Sequence, residues 1–235
     1  MTSINDIRIN QKERMNNKTA TVIGATGLIG GHIVRLLEQD DSYNKIRVVA
    51  RRPVAFSNPK VEAVLIDFSD EEAFRSAVAG NDAVLCAVGT TRRKVKGDRA
   101  AYRKVDHDIP VNAARFCEET GCQRFILVSS VGADSTSSNY YIRFKGEVED
   151  AVKKMNIPSV YVLRPSMLLG KRDEFRFGEL IGKALSAPLS FMFPSDYRPV
   201  NAGDVAAAMV AASKKGSPGF HLCHYKDIIE LKESL

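Results

Sequence analysis

Ala20-Thr21-Val22-Ile23-Gly24-Ala25-Thr26-Gly27-Leu28-Ile29-Gly30 decides the fold of this chain. The first four residues read as a buried strand that stops at Gly24; Ile29, Ile33, Leu36 and Leu37 then recur at helical spacing. Each glycine has its own use. Lacking a Cβ, Gly24 permits a tight turn, Gly27 lets a pyrophosphate approach the backbone, and Gly30 lets the helix close on the sheet. Open N–H groups and the positive helix end then make an anion site. Strand, glycine turn and amphipathic helix in one βαβ unit are the opening of a dinucleotide-binding domain.

Working outward, further apolar runs occur at Ile46–Ala50, Val61–Ile66, Ala83–Val88, Phe125–Val128, Val160–Leu163 and Phe220–Leu222. Helical patterns separate them: Arg99–Glu119, with Pro110 as a candidate break, Tyr140–Met155, Asp204–Ala212 and Lys226–Glu233. Near-continuous apolar strands alternating with amphipathic helices predict an α/β, doubly wound, mostly parallel sheet with helices on both faces. The expected strand order is that of the Rossmann fold, 3-2-1-4-5-6, with room for a seventh strand. Residues 1–18 read as a polar arm and 19–235 as a single domain, with a substrate-side segment at about 166–200. Ligands of such sheets sit at the carboxyl ends of the strands, beside the switch between strands one and four.

Composition narrows the function classes. The 235 residues are 44% hydrophobic and 26% charged, which excludes disordered and collagen-like chains. No apolar run reaches the roughly 18 residues of a membrane helix, and the first residues lack the apolar core of a secretion signal. Four cysteines without a Cys-x-x-Cys pair argue against a disulfide framework and a zinc site, and free thiols point to a cytoplasmic protein. A net charge of +6 favours an anionic partner, but the basic residues are dispersed, so a polyanionic small molecule is expected and nucleic acid is not. No feature speaks to oligomeric state.

An acid about 20 residues beyond the glycines usually holds a ribose 2′-hydroxyl, whereas arginine there suits a 2′-phosphate. The second strand here ends in Ala50-Arg51-Arg52-Pro53. Two guanidiniums favour NADP(H) over NAD(H). Asp67, just past the third strand, reads either as an acceptor for the adenine amino group or as a helix cap.

Tyr141 and Lys145 lie one helical turn apart, with Val148 and Val152 continuing the same face. Hydride reduction of a carbonyl leaves an alkoxide that must be protonated. A phenol of ordinary pKa near 10 does this poorly until a nearby cation makes it more acidic. Lys145 can supply that charge and donate to the nicotinamide ribose. Ser129-Ser130 ends the fifth strand, where a hydroxyl can hold the substrate oxygen; Ser130 is preferred and Ser129 is the second choice. His221-Leu222-Cys223-His224 points its ligand-type side chains to different faces of a strand, so no metal is expected. His107, between Asp106 and Asp108, reads as solvated, and Asn201-Ala202-Gly203-Asp204 as a helix start with Asp204 at or near the cap. Phe175, Phe177, Phe191, Met192, Phe193 and Tyr197 suggest an apolar or aromatic pocket.

The glycine turn, Ser130, Tyr141-x-x-x-Lys145 and Leu163-Arg164-Pro165 together resemble the short-chain dehydrogenase/reductase superfamily. Gly89-Thr90-Thr91-Arg92, Ser129-Ser130-Val131-Gly132-Ala133-Asp134, Lys145-Gly146-Glu147-Val148-Glu149 and Leu168-Leu169-Gly170 resemble its atypical branch containing the Tat-interacting protein oxidoreductases. The resemblance implies cofactor phosphates at Gly24, Thr26, Gly27, Leu28 and Ile29. It implies an adenine end at Arg51, Asp67 and Phe68, a ribose region at Ala87, Val88 and Gly89, and Pro165 against the nicotinamide. Tyr141 and Lys145 would then be the proton donor and its partner. The glycine spacing G-x-x-G-x-x-G is normal for this superfamily; the interval from Ser130 to Tyr141 is short compared with many relatives.

The expected function is therefore an NADPH-dependent oxidoreductase acting on a small carbonyl or alcohol. The alternative is a redox-sensing regulator that binds NADPH and a protein partner with little or no turnover. A nucleotide-sugar epimerase is disfavoured by the short stretch after strand six, which leaves little room for a separate substrate domain.

Overall fold

The computed structural model describes residues 18–90, 95–169 and 195–235. Strand β1 (Lys18–Ile23) leads through the glycine turn into α1 (Leu28–Gln39), followed by β2 (Tyr43–Ala50) and β3 (Val61–Leu65). Helix α2 (Glu71–Val78) returns the chain to β4 (Ala83–Cys86). Next come α3 (Arg99–Arg103), a π-helical turn (Lys104–Asp108), α4 (Ile109–Glu119) and β5 (Arg124–Val128). Helix α5 (Tyr140–Lys153) leads to β6 (Ser159–Leu163) and a short β7 (Leu168–Leu169). The chain closes with β8 (Val200–Asn201), α6 (Ala202–Lys215), β9 (Gly219–Cys223) and α7 (Tyr225–Glu233).

Seven strands form one sheet in the order β3-β2-β1-β4-β5-β6-β9, all pairs parallel. The doubly wound class, the order and the seventh strand are those expected. Strand β1 pairs with β2 on one side and β4 on the other, Ile23 lying opposite both Val49 and Cys86. The switch point therefore falls where the glycine turn leaves the sheet.

Apolar strands that alternate with helices must be covered on both faces. One layer gathers Ile29, Ile33 and Leu37 of α1 with Val205, Met209 and Ala212 of α6 against Val22, Val48 and Leu85. The other gathers Phe74 of α2, Phe116 of α4 and Val148 and Val152 of α5 against Ile23, Val84 and Phe125. Short polar residues open the second layer's helices. Asp70 accepts from the Ala73 amide at 3.0 Å, Asp98 from Ala100 at 2.8 Å, and Asn139 from Tyr141 at 3.0 Å.

Several boundaries differ from expectation. The strands expected to run to Ile66 and Val88 end at Leu65 and Cys86, and α5 ends at Lys153 rather than Met155. Helix α6 spans Ala202–Lys215 with Asn201 at its N-cap; Asp204 lies near the cap as expected, in the first turn, and pairs with Lys232 at 3.0 Å. Pro110 does not break the long helical region. It stands in the first turn of α4, where a missing N–H costs nothing, and the irregularity is the π turn before it. Lys18 belongs to β1, not to a polar arm; the rest of that arm lies outside the described residues. So do Thr91, Arg92, Gly170, Phe175, Phe177, Phe191, Met192 and Phe193, and most of the substrate-side segment. Tyr197 is 53% exposed and contributes no buried pocket wall.

One close approach fixes α5 against the loop that precedes it. A Cβ on Gly146 would lie 2.1 Å from the Ser135 amide nitrogen and 2.3 Å from the Asp134 carbonyl carbon. Gly146→Ala gains helix propensity of about 1 kcal/mol. Backbone overlap at that distance outweighs the gain, so the variant is expected to lose roughly 1–3 kcal/mol of stability. A denaturant midpoint equal to or above that of the parent chain would contradict this packing.

Candidate active site

The glycine turn is held by its own backbone. Gly27 N–H donates to the Gly24 carbonyl at 2.8 Å, and Gly31 N–H to the Gly27 carbonyl at 2.9 Å. Gly24 has φ +91°, and a Cβ there would meet the Ala87 carbonyl and the Val88 nitrogen at 2.7 Å. A Cβ on Gly30 would meet the Gly24 oxygen at 2.1 Å. Neither position accepts a side chain. The turn is thus pressed against the loop after β4, which brings Gly24, Ala87 and Val88 together, with Gly89 next along the chain. The N-cap of α1 is Gly27, which has no side chain to cap the first turn, and no acid sits in that turn, so its positive end suits an anion beside Thr26, Leu28 and Ile29. This arrangement fits a dinucleotide diphosphate.

Arg51 and Arg52 follow β2 and are exposed. Asp67 accepts from the Ser69 amide at 2.9 Å, and that bond, with the Ser69 hydroxyl, holds its carboxyl below the usual range; the charges of Arg51 and Lys104 reinforce the shift. The two sequence readings of Asp67 separate here. Asp70 caps α2, leaving Asp67 at the exposed strand end. Phe68 is anchored edge-on against Phe74, with centroids 4.9 Å apart.

Helix α5 carries Tyr141 and Lys145 on consecutive turns. Tyr141 is half-buried, with its ring 6.5 Å from that of Tyr102. Tyr140 packs on Tyr102 and Phe144, away from this register. Lys145 is buried, and its Nζ lies 3.7 Å from Oδ1 of Asp106. The other Asp106 oxygen accepts from the Thr90 amide at 2.7 Å. The solvated reading of His107 is corrected: its side chain is only 14% exposed. Asp106 is buried in the π turn, and His107, also largely buried, contacts Asp108 at 2.8 Å.

The two serines differ sharply. Ser129 Oγ donates to the Glu149 carboxylate, which is buried and gripped by Arg164 through Nε at 3.1 Å and Nη2 at 2.5 Å. Arg164 also donates to the Ala133 carbonyl at 3.2 Å, and the Val131 amide donates to the Pro165 carbonyl at 3.0 Å. Ser129 is therefore tied into a structural network. Ser130, equally buried, has a 3.3 Å contact with the Val131 carbonyl, which leaves it the more available hydroxyl. The Glu149–Arg164 pair was present in the quoted motifs without an assigned role.

Elsewhere, His221 stacks on Tyr161 at 4.4 Å. Among the described residues no group of three potential ligands gathers to hold a metal. Cys86, at the end of β4, is pushed up to about 11 by burial and stays a neutral thiol.

Known proteins share these features. The NAD(P)H-binding family matches residues 24–215. HTATIP2 of Rattus norvegicus is 30% identical over 228 residues, 96% of this chain and 93% of its own length. The mitochondrial protein FMP52 of Candida albicans is 30% identical over 207 residues, 84% of this chain and 89% of that protein. Among solved structures, a UDP-N-acetylglucosamine 4-epimerase from Methanobrevibacter ruminantium superposes with TM-score 0.68 at 17% identity, over 89% of this chain and 77% of that one. That likeness is one of fold alone.

The relatives overturn the expectation of a cytoplasmic protein. FMP52 of Candida albicans, Lodderomyces elongisporus and Eremothecium gossypii, and its Aspergillus clavatus counterpart, are mitochondrial proteins. Cysteine usage could not discriminate, because all four thiols are buried in the core and meet no redox partner from solution. The fold, the glycine turn and these matches converge: the chain belongs to the NAD(P)H-binding family, has a Rossmann fold, and is a homologue of HTATIP2.

Proposed function

We propose that this chain is an NADPH-dependent oxidoreductase that reduces a small carbonyl, or oxidises the corresponding alcohol, with Tyr141 as the proton donor and acceptor. The observation that carries the proposal is the buried Lys145 one helical turn beyond Tyr141, tied through Asp106 to the loop that borders the glycine turn. A nicotinamide cofactor, when bound, supplies the hydride. The chain's own residues do the rest. The open end of α1 with Gly24, Thr26, Gly27, Leu28 and Ile29 binds the diphosphate. Arg51 and Arg52 meet a 2′-phosphate, and Asp67 and Phe68 border the adenine. Ala87, Val88 and Gly89 line the ribose side, and Pro165 backs the nicotinamide.

At the reacting end, the Ser130 hydroxyl donates to the substrate oxygen and holds it beside the Tyr141 phenol. The phenol passes its proton to that oxygen as negative charge develops, and Lys145 stabilises the phenolate left behind. The mitochondrial relatives favour a mitochondrial setting. The regulator alternative draws on the same ion pair, since Asp106 offsets the charge that Lys145 offers the phenol.

Tyr141→Phe separates the two. The variant is expected to lose roughly 10²- to 10⁴-fold in turnover while its NADPH affinity is retained. Carbonyl panels followed by NADPH absorbance provide the measurement; tight NADPH binding with no turnover by the parent chain on any carbonyl would favour the regulator. Replacing Arg51 and Arg52 together by alanine removes the guanidiniums offered to the 2′-phosphate. The preference for NADPH over NADH is expected to fall by about tenfold or more. An unchanged ratio of dissociation constants would sink the 2′-phosphate assignment.

A further inference from the structure

We propose that Asp106 is a positioning residue of the proton-transfer pair, holding Lys145 with one carboxylate oxygen and the loop after β4 with the other, and setting how much positive charge reaches Tyr141. The inference rests on Tyr141 and Lys145 acting in proton transfer.

The Lys145 side chain is 5% exposed and that of Asp106 1%. Neither ion would be stable in such a place alone, so each requires the other. At 3.7 Å the pair lies beyond hydrogen-bond length. It is held by charge, and the three N–H donors of the ammonium are not consumed by this carboxylate. Asp106 Oδ2 takes the Thr90 amide at 2.7 Å. One carboxylate therefore joins α5, which carries Tyr141, to the loop beside the glycine turn.

Helical geometry explains how the acid arrives there. A π turn inserts one extra residue into a helix, and such turns concentrate at functional sites. The turn Lys104–Asp108 sends Asp106 inward, while Arg103 and His107 contact Glu147 on the outer face of α5.

Among the described residues, Asp106 from the π turn and Cys86 from β4 interact with Lys145, while α5 itself supplies Tyr141 one turn before and Glu149 one turn after. Glu149 is compensated by Arg164, and Cys86 is an uncharged thiol. Among the described residues, Asp106 is thus the carboxylate paired with the lysine.

Asp106→Asn keeps the shape and an acceptor for the Thr90 amide but deletes the charge. With Lys145 no longer offset, the pH profile of NADPH oxidation is expected to move to lower pH by about one unit. The tyrosinate absorbance attributable to residue 141, obtained as the difference from the matching Tyr141→Phe chain, is expected to move the same way. This second readout requires no turnover. A shifted spectrum in a chain that turns over no substrate supports the role of Asp106 and ends the oxidoreductase reading. Turnover with neither profile nor spectrum displaced, or displaced upward, overturns the role of Asp106 and leaves the oxidoreductase reading intact.

A melting comparison covers a single variant that does not fold. Lys145→Met strands a buried carboxylate, so adding Asp106→Asn to it is expected to raise the melting temperature. A double variant no more stable than Lys145→Met overturns the pairing.

Discussion

A parallel sheet with apolar residues on both faces has nowhere to place its polar chemistry except its edges and the loops at its strand ends. In this chain the two helical layers cover the faces so fully that Val22, Val84, Leu85 and Phe125 are excluded from water. The chemistry is consequently gathered at the carboxyl ends. The glycine turn leaves β1 there, the 87–90 loop leaves β4, the serines leave β5, and Arg164-Pro165 leaves β6. The loop residues of the site owe their place to the need of the neighbouring strands to stay dry; Tyr141, Lys145 and Asp106 reach it from helices.

Charge inside this frame is handled in two different ways. Glu149 and Arg164 form a tight, multiply hydrogen-bonded pair that also collects Ser129 and the Ala133 carbonyl. Such satisfaction rigidifies a loop and leaves little charge to act on anything else. Lys145 and Asp106 stand farther apart and meet without a mutual hydrogen bond. Their fields act on each other and on whatever lies beside them. The first pair braces the loop that carries Ser130; the second is held by charge without a mutual hydrogen bond.

Much of this was legible in the sequence, because it follows from local periodicity. Apolar runs between glycines and amphipathic helices placed the strands in order, and the spacing of Tyr141 and Lys145 put them on one face. The remainder depends on tertiary placement. His107 looks solvated in one dimension, and nothing in the local sequence singles out Asp106; only the π turn, which no composition signals, turns that acid inward. The pairing of β7 with β8 joins two-residue strands with about thirty residues between them, too short to show a period. The sequence ranks Ser130 ahead of Ser129, but only the bond of Ser129 to Glu149 gives the physical reason. The compartment was misread because a buried thiol carries no record of its surroundings.

The Arg164 guanidinium reaches back to Ala133 and Glu149 from a strand made later in the chain. The loop bearing Ser130 thus depends on a clamp that does not exist until β6 has docked beside β5. The glycine turn is no more independent of the later chain: α1 packs on α6, which follows β6, so both ends of the cleft wait for the last third of the molecule to dock.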